Sequence, residues 1–426
     1  MSLFGAMTTA LSGLSSQSSA LGNISDNIAN SQTVGFKRVD TNFIDYITTS
    51  SATENAPGAV VAQPSYVNNV TGTITQITNP LAMAISGQGF FPVSQNTGSS
   101  ANAPVFDPQS YYTRAGDFSM NAGGFLVNGS GLYLQGWPVL ANGTLDTNTL
   151  APVQISQAIY QPVPTGKVDL SANLPPASSS APAPFTSNVS VYDAQGLAHQ
   201  LTLSFLSSGS GSNAWTVAVT DDTGTPIGNG ALTFAADGTL ASLTQGAAVQ
   251  NTPGAQATLT LSTLYPTAGG GTQSIALGLG TLGGTSGLTQ FAGSGYSLRG
   301  ISQDGVPPGS FSSVSTTTAG GVIVNYDNGQ SRQIARVPVV TFAAPDELQR
   351  QNGSAFTATT ASGVPLAETA GGNGAGAIVT SSVEQSNVDI ATQFSQMIVA
   401  QQAYSANAKM VTTASDMMQV TLDMKH

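Results

Sequence analysis

Hydrophobic residues recur in steps of four and three along the last part of the chain. From Ile390 onward no glycine or proline interrupts the repeat, which is the spacing that lines one face of a coiled-coil helix. The start of the chain has the same spacing. The repeat therefore predicts terminal helices at 1–30 and 383–426 that pair as a coiled coil. The residues expected in its seam are Leu11, Leu14, Leu21, Ile24, Ile28, Ile390, Phe394, Met397, Tyr404, Val411, Met418 and Leu422.

Between the helices the pattern changes to short alternating stretches separated by glycine-rich turns, which is typical of antiparallel β-structure. A proline-rich stretch over 150–185 indicates a linker into an inserted domain. We therefore expect a mainly β chain with terminal α-helices, in which an outer antiparallel β domain is inserted in an inner one. The expected divisions are 1–30 and 383–426 for the helical domain, 31–75 and 361–382 for an extended connector, 76–150 and 285–360 for the first β domain, and 151–284 for the inserted outer domain.

Pairing of the two helices leaves apolar positions uncovered. Met410, Met417 and Met424 form a second seven-residue repeat, and Ile398 is also left over. Ordering a helix costs roughly 1–2 kcal/mol per residue, whereas each buried apolar side chain contributes about 1.5–3 kcal/mol. Two interpretations follow: an intramolecular two-helix stalk, or helices that become ordered only when many subunits stack and cover every face. The low charge on these faces favours the second interpretation.

Composition narrows the classes of partner. Charged residues make up only 7% of the chain, and the formal net charge is −11. This balance argues against nucleic acid or anionic lipid, because both are bound through clustered lysine and arginine. The absence of cysteine excludes disulfides, thiolate metal sites and a cysteine nucleophile. No apolar run is long enough to span a membrane and no secretory signal is visible, so we expect a soluble chain that, if exported, has no cleaved leader.

Residues that could carry catalysis are scarce. His199 and His426 are the only histidines, so we expect no histidine dyad, triad or metal cluster. The glycines over 278–283 match the letters of a dinucleotide-binding fingerprint, but more glycine, threonine and serine follow them instead of a helix. Asp221 and Asp222 are expected in a β-turn, where neighbouring side chains point apart. The sequence therefore predicts no enzyme, no cofactor and no metal site.

The end of the first predicted helix carries a recognisable motif. Its sequence, NISDNIANSQTVGFKR over 23–38, resembles the N-terminal signature of the bacterial flagellar rod, hook and hook-associated proteins. The sequence SNVDIATQFSQMIVAQQAYSANAKMVTTASDMM over 386–418 is similar to the C-terminal signature of the same family. The residues that match the N-terminal motif are Asn23, Asn27, Ile28, Ala29, Asn30, Thr33, Gly35, Phe36 and Lys37.

Two internal segments resemble particular members of that family. The sequence GQGFF over 87–91, together with residues 111–137, is similar to the first β domain of hook and distal-rod proteins. The sequence VYDAQGLAHQLTLSF over 191–205 looks like the inserted outer domain that is characteristic of hook proteins. Residues 206–285 carry no recognisable motif.

The resemblance implies a structural, non-catalytic subunit. Copies would polymerise into a short curved tube, the flagellar hook, which acts as a universal joint between motor and filament. The terminal helices would form the inner wall around an export channel, and their seam residues would pack across and between subunits. Asn23, Asn27 and Asn30 would satisfy backbone or neighbouring amide groups where the helix passes into the connector.

The resemblance also implies the partners and the location. The distal rod protein, the hook cap and the hook–filament junction proteins would contact the polymer. Export to the outside of the cell would use the flagellar type III apparatus, without a cleaved signal peptide. Neither nucleic acid nor a membrane is implied as a partner.

Two other functions stay open on the sequence. A distal-rod or hook-associated junction subunit would share both terminal signatures, although the segment 191–205 is unlike one. A secreted β-rich adhesin would be a stable monomer with an aromatic-lined groove. Only two tryptophans are present, which makes the adhesin the weaker alternative.

Overall fold

A computed structural model describes most of the chain as two compact units. The helix-bearing unit comprises Met1–Gln157, Ser313–Asn325 and Ser331–His426, and the inserted unit comprises Ala158–Ser312 and Tyr326–Gln330. The chain is therefore nested, as the order of its patterns predicts. The described residues are 3–50, 55–100, 103–140, 142–176, 183–209, 211–266, 272–293 and 295–424.

The first and the last of the described elements are helices. Helix α1 spans Leu3–Ala29, helix α2 spans Ile390–Asp423, and the two pack against each other, which confirms the predicted pairing. Helix α2 begins after Asp389, whose side chain accepts a hydrogen bond from the backbone N–H of Thr392 at 3.0 Å. This bond satisfies one of the amide groups that the first turn of a helix leaves free.

The start of the C-terminal helical region differs from the prediction. Residues 383–389 are not helical, because Ser382–Glu384 is a strand paired with Ile74–Gln76. The preceding stretch, 361–382, is also more than an extended connector, since Leu366–Glu368 and Ala377–Thr380 pair with other strands. These pairings join segments far apart in sequence, and local propensity does not contain them.

A long hairpin follows α1 in the predicted connector 31–75. Its strands, Val39–Ser50 and Asn55–Tyr66, are antiparallel and lie against α1. Val39 is buried beneath the helix, whereas Phe43, Ile44, Tyr46 and Ile47 remain largely exposed. The hairpin therefore has one covered end and an open apolar face.

The β core of the helix-bearing unit is an eleven-stranded sheet. Phe90, Tyr112 and Phe356 pack beside it with edge-to-face ring contacts to one another or to Phe342. Its strands are Phe91–Ser94, Tyr111–Thr113, Ser119–Met120, Leu126–Val127, Tyr133–Pro138, Ala151–Pro152, Phe311–Thr316, Gly321–Tyr326, Ser331–Arg336, Gln349–Gln351 and Ala355–Thr357. Smaller elements are the strand pairs Met83–Ser86 with Ala377–Thr380, Val339–Thr341 with Leu366–Glu368, Asn96–Ser100 with Ala103–Phe106, and the 3₁₀ turn Pro345–Glu347.

The inserted unit contains two sheets around one apolar core. Alternate residues such as Leu201, Leu203 and Phe205 are fully buried, which agrees with the period-two pattern of a half-buried strand. The antiparallel six-stranded sheet consists of Phe185–Tyr192, Ala198–Ser207, Ala214–Thr220, Pro226–Phe234, Leu240–Gln245 and Ala248–Gln250. The five-stranded sheet consists of Lys167–Asn173, Gln256–Pro266, Thr272–Thr281, Leu288–Thr289 and Ser297–Gln303.

The inserted unit is longer than the predicted 151–284 at its C-terminal side. Both Leu288–Thr289 and Ser297–Gln303 pair with Lys167–Asn173, so the chain returns to the helix-bearing unit after Ser312 rather than at 285. Lys167–Asn173 also runs parallel to Thr272–Thr281 and to Leu288–Thr289, which makes this sheet mixed rather than wholly antiparallel. The alternation of apolar and polar residues within a strand does not show which strand pairs with it when that strand is more than a hundred residues away.

The insertion also begins later than predicted. Ala151–Pro152 pairs with Tyr133–Pro138 in the large sheet, and the inserted unit starts at Ala158. The proline-rich stretch therefore contains a strand of the helix-bearing unit before it leaves that unit. Its prolines mark irregular backbone but do not mark where the contacts change.

Candidate functional site: the paired helices and their anchor

The contact between α1 and α2 is made by small and polar side chains at seven-residue intervals. A β-carbon on Gly13 would lie 2.9 Å from Nδ2 of Asn407, so the helices approach closely there. Seven residues further along each helix, Ala20 and Ala400 are both buried. After another seven, Asn27 Nδ2 donates a hydrogen bond of 3.0 Å to Gln393 Oε1. The antiparallel register is thus fixed by a buried amide pair at one end, a device that also sets register in coiled coils.

The predicted seam is only partly the observed one. Met397, Val411 and Met418 are half-buried, as are Leu14, Leu21 and Ile28, and Ile24 is fully buried. Five predicted seam residues are instead largely exposed: Leu11, Ile390, Phe394, Tyr404 and Leu422. On α2 the buried residues are instead Gln393, Ala400 and Ala414, the first of which directly precedes the predicted Phe394.

Hydroxyl groups of α1 hydrogen-bond to the backbone of the hairpin strand Asn55–Tyr66. Thr9 Oγ1 donates to the carbonyl of Gly58 at 3.2 Å, and Ser16 Oγ donates to the carbonyl of Val60 at 2.9 Å. The N–H of Val60 donates to Ser12 Oγ at 3.1 Å. Sequence reasoning missed this interaction, and its signal is the spacing of three and four between the hydroxyl residues along one face of α1. The serines and threonines of α1 therefore satisfy a strand edge that would otherwise be free.

The three motif asparagines each make hydrogen bonds where α1 ends. Asn23 Nδ2 donates to Thr41 Oγ1 at 2.8 Å. The buried Asn27 accepts from the N–H of Val39 and donates to its carbonyl, both at 2.9 Å, as a neighbouring strand would. Asn30 Nδ2 donates to the carbonyl and the side chain of Asp26. Of the other motif residues, Ala29 is the exposed last residue of α1 and Thr33 donates to Asn30 Oδ1.

After α1, a turn at Gly35 and the buried Phe36 bring the backbone close to the β core. Gly35 has a φ of +68°, and a β-carbon there would lie 2.3 Å from the backbone nitrogen of Ala115. A left-handed conformation with no room for a side chain requires glycine. The Phe36 ring is buried, and the guanidinium of Arg350 lies 4.7 Å from its centroid. This turn leads directly to Lys37.

Lys37, Arg114 and Glu384 form a fully buried cluster of charges, the Glu384 cluster. Lys37 Nζ donates to one carboxylate oxygen of Glu384, and Arg114 Nη1 donates to the other at 2.9 Å. Their side chains are 1%, 0% and 0% exposed. The cluster joins the turn after α1, the large sheet and the strand that precedes α2, so it anchors both helices to the β core.

Backbone groups also bind these charges, although the buried Nε of Arg114 has no hydrogen-bond partner among the described residues. Lys37 Nζ also donates to the carbonyl of Val70 at 2.7 Å, and Arg114 Nη2 donates to the carbonyl of Gly87 at 2.7 Å. The N–H of Gly72 donates to Glu384 Oε1 at 2.8 Å. Buried charges persist in proteins only when they are paired and hydrogen-bonded in this way. Two cations nevertheless share one carboxylate, so the cluster carries one excess positive charge.

Burial lowers the pKa values of both cations. Desolvation is the largest cause for Lys37, and the neighbouring Arg114 adds to it, so that the pKa of Lys37 falls from 10.5 to about 8 despite the opposing effect of Glu384. Desolvation likewise lowers the pKa of Arg114. The protonated amine of Lys37 is therefore less favourable in the folded chain than in water.

The lowered pKa of Lys37 predicts that stability increases with pH. Between about pH 8 and pH 10.5 the folded chain has released the Lys37 proton while the unfolded chain still holds it. Because the unfolded state binds more protons in this window, the free energy of unfolding of the helix-bearing unit should rise by up to about 3 kcal/mol across it. Denaturant unfolding at several pH values, compared with a Lys37→Met variant, isolates this contribution. Equal pH slopes in the two proteins would contradict the assignment.

A large apolar surface remains uncovered on the helices and the hairpin. The side chains on this surface alternate with small and weakly polar residues, and most belong to α2. Its large members are Phe4, Leu11, Phe43, Ile44, Tyr46, Ile47, Val61, Ile390, Phe394, Ile398, Val399, Tyr404, Met410, Met417, Val420, Leu422 and Met424. Many large apolar side chains left exposed on the same few elements indicate a site of interaction with another macromolecule. Within the described segments, neither helix is long and apolar enough to cross a membrane.

Apart from His426, the residues considered for catalysis lie in strands and turns of the inserted unit. His199 lies in a strand, with its ring nitrogens 3.1 and 3.4 Å from the carboxylates of Asp222 and Asp193, and His426 lies outside the described residues. Asp221 accepts hydrogen bonds from the N–H groups of Thr223 and Thr225, in the turn that was predicted. The glycines over 278–283 lie in a strand and the turn after it. In the part of the chain with described coordinates, no three histidine or acidic residues are grouped as metal ligands.

Profiles of four flagellar protein families match the chain in successive parts. The description "Flagella basal body rod protein" matches residues 7–37, and "Flagellar hook protein FlgE/F/G D1 domain" matches 84–168. "Flagellar basal body protein FlaE D2 domain" matches 165–306, and "Flagellar basal body rod FlgEFG protein C-terminal" matches 379–424. The match over 165–306 falls within the inserted unit.

Several relatives match over their whole length. The flagellar hook protein FlgE of Brucella suis is 31% identical over 429 residues, covering 100% of both chains. That of Rhizobium meliloti is 32% identical over 441 residues with the same coverage. That of Escherichia coli is 29% identical over 437 residues, covering 99% of this chain and 100% of its own. A crystal structure of Helicobacter pylori flagellar hook protein FlgE2 superposes with a TM-score of 0.49 and 15% identity, over 71% of this chain and 98% of its own.

Proposed function

The chain belongs to the flagellar hook protein family and is a structural subunit of the flagellar hook, and we propose that its copies polymerise through α1 and α2 into a curved, flexible tube. In that tube the chain would transmit motor torque to the filament and would enclose the export channel. Its role is mechanical, and no catalytic step is proposed.

The observation that supports polymerisation is that different kinds of side chain are buried and exposed on the helix pair. Small and amide side chains make the contact within the chain, whereas most of the large apolar ones are left in solvent. Covering each of these in an assembly contributes about 1.5–3 kcal/mol. A helix pair meant to remain a free stalk would instead bury its large side chains in its own seam.

The two ends of the chain have distinct proposed places in the tube. We assign the helices, residues 1–30 and 390–424, to the inner wall, and the predicted seam residues to contacts across and between subunits. The motif residues hold the helices to the hairpin and to the Glu384 cluster, so they orient the inner wall relative to the β core. The large sheet would form a middle layer and the inserted unit the outside.

The low content of charged residues is suited to a subunit surface that slides against neighbouring subunits. With charged residues at only 7%, few specific ion pairs would have to break when subunits slide during bending. The Lys37, Arg114 and Glu384 charges are inside the subunit and would not take part. We therefore assign bending to interfaces between subunits and rigidity to the anchor within each one.

We infer the partners and the location from membership of this family. The proposed contacts are the distal rod protein below, the hook cap during growth and the junction proteins above. The proposed location is outside the cell, reached through the flagellar type III apparatus. A rod or junction subunit and a secreted adhesin are both less favoured, since the relatives that match the full length are hook proteins.

Electron microscopy of assembled material tests this function. The full chain should form curved tubes, and a chain lacking residues 390–426 should form none. Because the deletion begins after the Glu384 cluster, the truncated chain should keep its folded β units, which circular dichroism and thermal unfolding would verify. Straight rods or single rings from the full chain would favour the rod or junction alternative. Intact tubes from the truncated chain would overturn the proposal.

A further inference from the structure

Helix α2 carries an unusual number of methionines in two different environments. Four of the nine methionines of the chain, Met397, Met410, Met417 and Met418, lie in it, and Met424 directly follows its last residue. Met397 and Met418 are half-buried on the side that faces α1. Met410, Met417 and Met424 recur every seven residues along the helix and are 57%, 55% and 82% exposed. We name these three the methionine stripe.

The methionine stripe lies on the part of α2 with the least cover from its own chain. The register set by Gly13 opposite Asn407 and Asn27 opposite Gln393 places the start of α1 near residue 417 of α2. Met424 therefore extends past the start of α1, and Met410 and Met417 flank the seam beside its last contacts. The stripe is part of the exposed apolar surface through which polymerisation is proposed above, so a neighbouring copy of this chain is the occupant that fits it.

Sulfur distinguishes this stripe from one built of leucine. A thioether is flexible and adapts to a neighbour whose position varies, as it would in a bending tube. It also reacts with hydroperoxides. The sulfur takes one oxygen atom and is oxidised by two electrons to the sulfoxide, while hydrogen peroxide is reduced to water. The product is polar and is poorly accommodated in a dry contact between apolar faces.

We propose that Met410, Met417 and Met424 form an oxidation-sensitive contact between copies of this chain. In the free subunit a hydroperoxide converts them to sulfoxides and blocks addition to the polymer. In the assembled tube the neighbouring copy covers the same three residues and protects them. The inference rests on the proposed polymerisation and adds to it a chemical modification that controls the supply of competent subunits.

The chain contains its own reference for such an experiment. Met83 is fully buried in the β core and should stay reduced in the folded subunit under mild peroxide treatment. Met397 and Met418 are half-buried and should react more slowly than the stripe. Peptide mass mapping distinguishes these classes, because each sulfoxide adds the mass of one oxygen atom.

The test compares free and assembled protein. Unassembled subunits are treated with hydrogen peroxide, mapped for sulfoxide, and sedimented after assembly to measure the critical concentration. We expect oxidation at the stripe first, together with a rise in critical concentration of at least about tenfold. The triple variant M410L/M417L/M424L should assemble untreated and should lose this peroxide sensitivity. Treatment with methionine sulfoxide reductase should restore assembly of the oxidised wild type.

Three outcomes would overturn the proposal. Stripe residues that oxidise as quickly in the polymer as in the free subunit are not covered by a neighbour. A triple variant that is as sensitive to peroxide as the wild type places the effect at other methionines, and failure of reductase rescue places it outside methionine chemistry. Untreated wild-type protein that does not polymerise refutes the proposed function itself, and the oxidation proposal with it.

Discussion

Replacing Glu384 with glutamine is expected to lower the free energy of unfolding of the helix-bearing unit by at least about 3–5 kcal/mol at neutral pH. The substitution keeps the shape of the side chain but removes the only negative charge in the cluster. Arg114 would then be a fully buried cation with no counterion, and Lys37 would have to be buried either charged or deprotonated, both at a cost. Much of the stability of a typical domain, roughly 5–15 kcal/mol, would be lost.

Denaturant unfolding followed by fluorescence and circular dichroism measures this loss. The inserted unit contains none of the cluster residues, so its own transition should not move. Lys37→Met leaves a neutral Arg114–Glu384 pair and should cost less than Glu384→Gln. The matched control is Asp169→Asn at the exposed Lys167–Asp169 ion pair, where we expect a change of only about 0–1 kcal/mol. A loss of similar size in the two carboxylate variants would show that burial of the cluster does not matter.

The sequence predicts the helices and the nested order of the chain, because both depend on local pattern. Apolar heptads identify α1 and α2, and Asn27 can be recognised from the motif that it shares with flagellar relatives. Alternation identifies strands such as Ala198–Ser207, whose inward residues are buried as expected. In each case the information lies within a few residues of the element that it determines.

The contact face of the helix pair could not be predicted in the same way. A hydrophobic repeat predicts Phe394 and Leu422 as seam residues because they are large and apolar. The structure uses Gly13, Ala20 and Ala400 instead, which allow the helices to approach closely. A sequence pattern cannot distinguish apolar residues buried within one chain from those left for its neighbours.

The Glu384 cluster could not be predicted either. Lys37 and Arg114 meet Glu384 only through pairing of strands that are hundreds of residues apart, and each residue alone resembles an ordinary surface charge. The same cause moved the boundary of the inserted unit, since Ser297–Gln303 pairs with Lys167–Asn173. Long-range strand pairing determines both features, and the β-propensity of a local segment does not indicate its pairing partner.

The exposed face of α2 gives the largest expected effect on assembly. Phe394 and Ile398 lie one helical turn apart, and 51% and 56% of their surfaces are exposed in the free chain. The double variant Phe394→Ser and Ile398→Ser should therefore change the stability of the subunit by no more than about 0.5 kcal/mol per site. In a polymer that buries both side chains, their removal should raise the critical concentration by at least about a hundredfold.

Sedimentation of assembled material over a range of protein concentrations measures this increase, and thermal unfolding of the free subunit verifies that the fold is intact. The control is the double variant Leu197→Ser and Leu206→Ser, which removes two leucines that are 61% and 45% exposed on the inserted unit. Because the inserted unit is assigned to the outside of the tube, where contacts slide, the control should raise the critical concentration by less than about tenfold. Equal effects from the two variants would mean that any loss of apolar surface weakens assembly. Normal assembly by the α2 variant would remove this helix face from the interface.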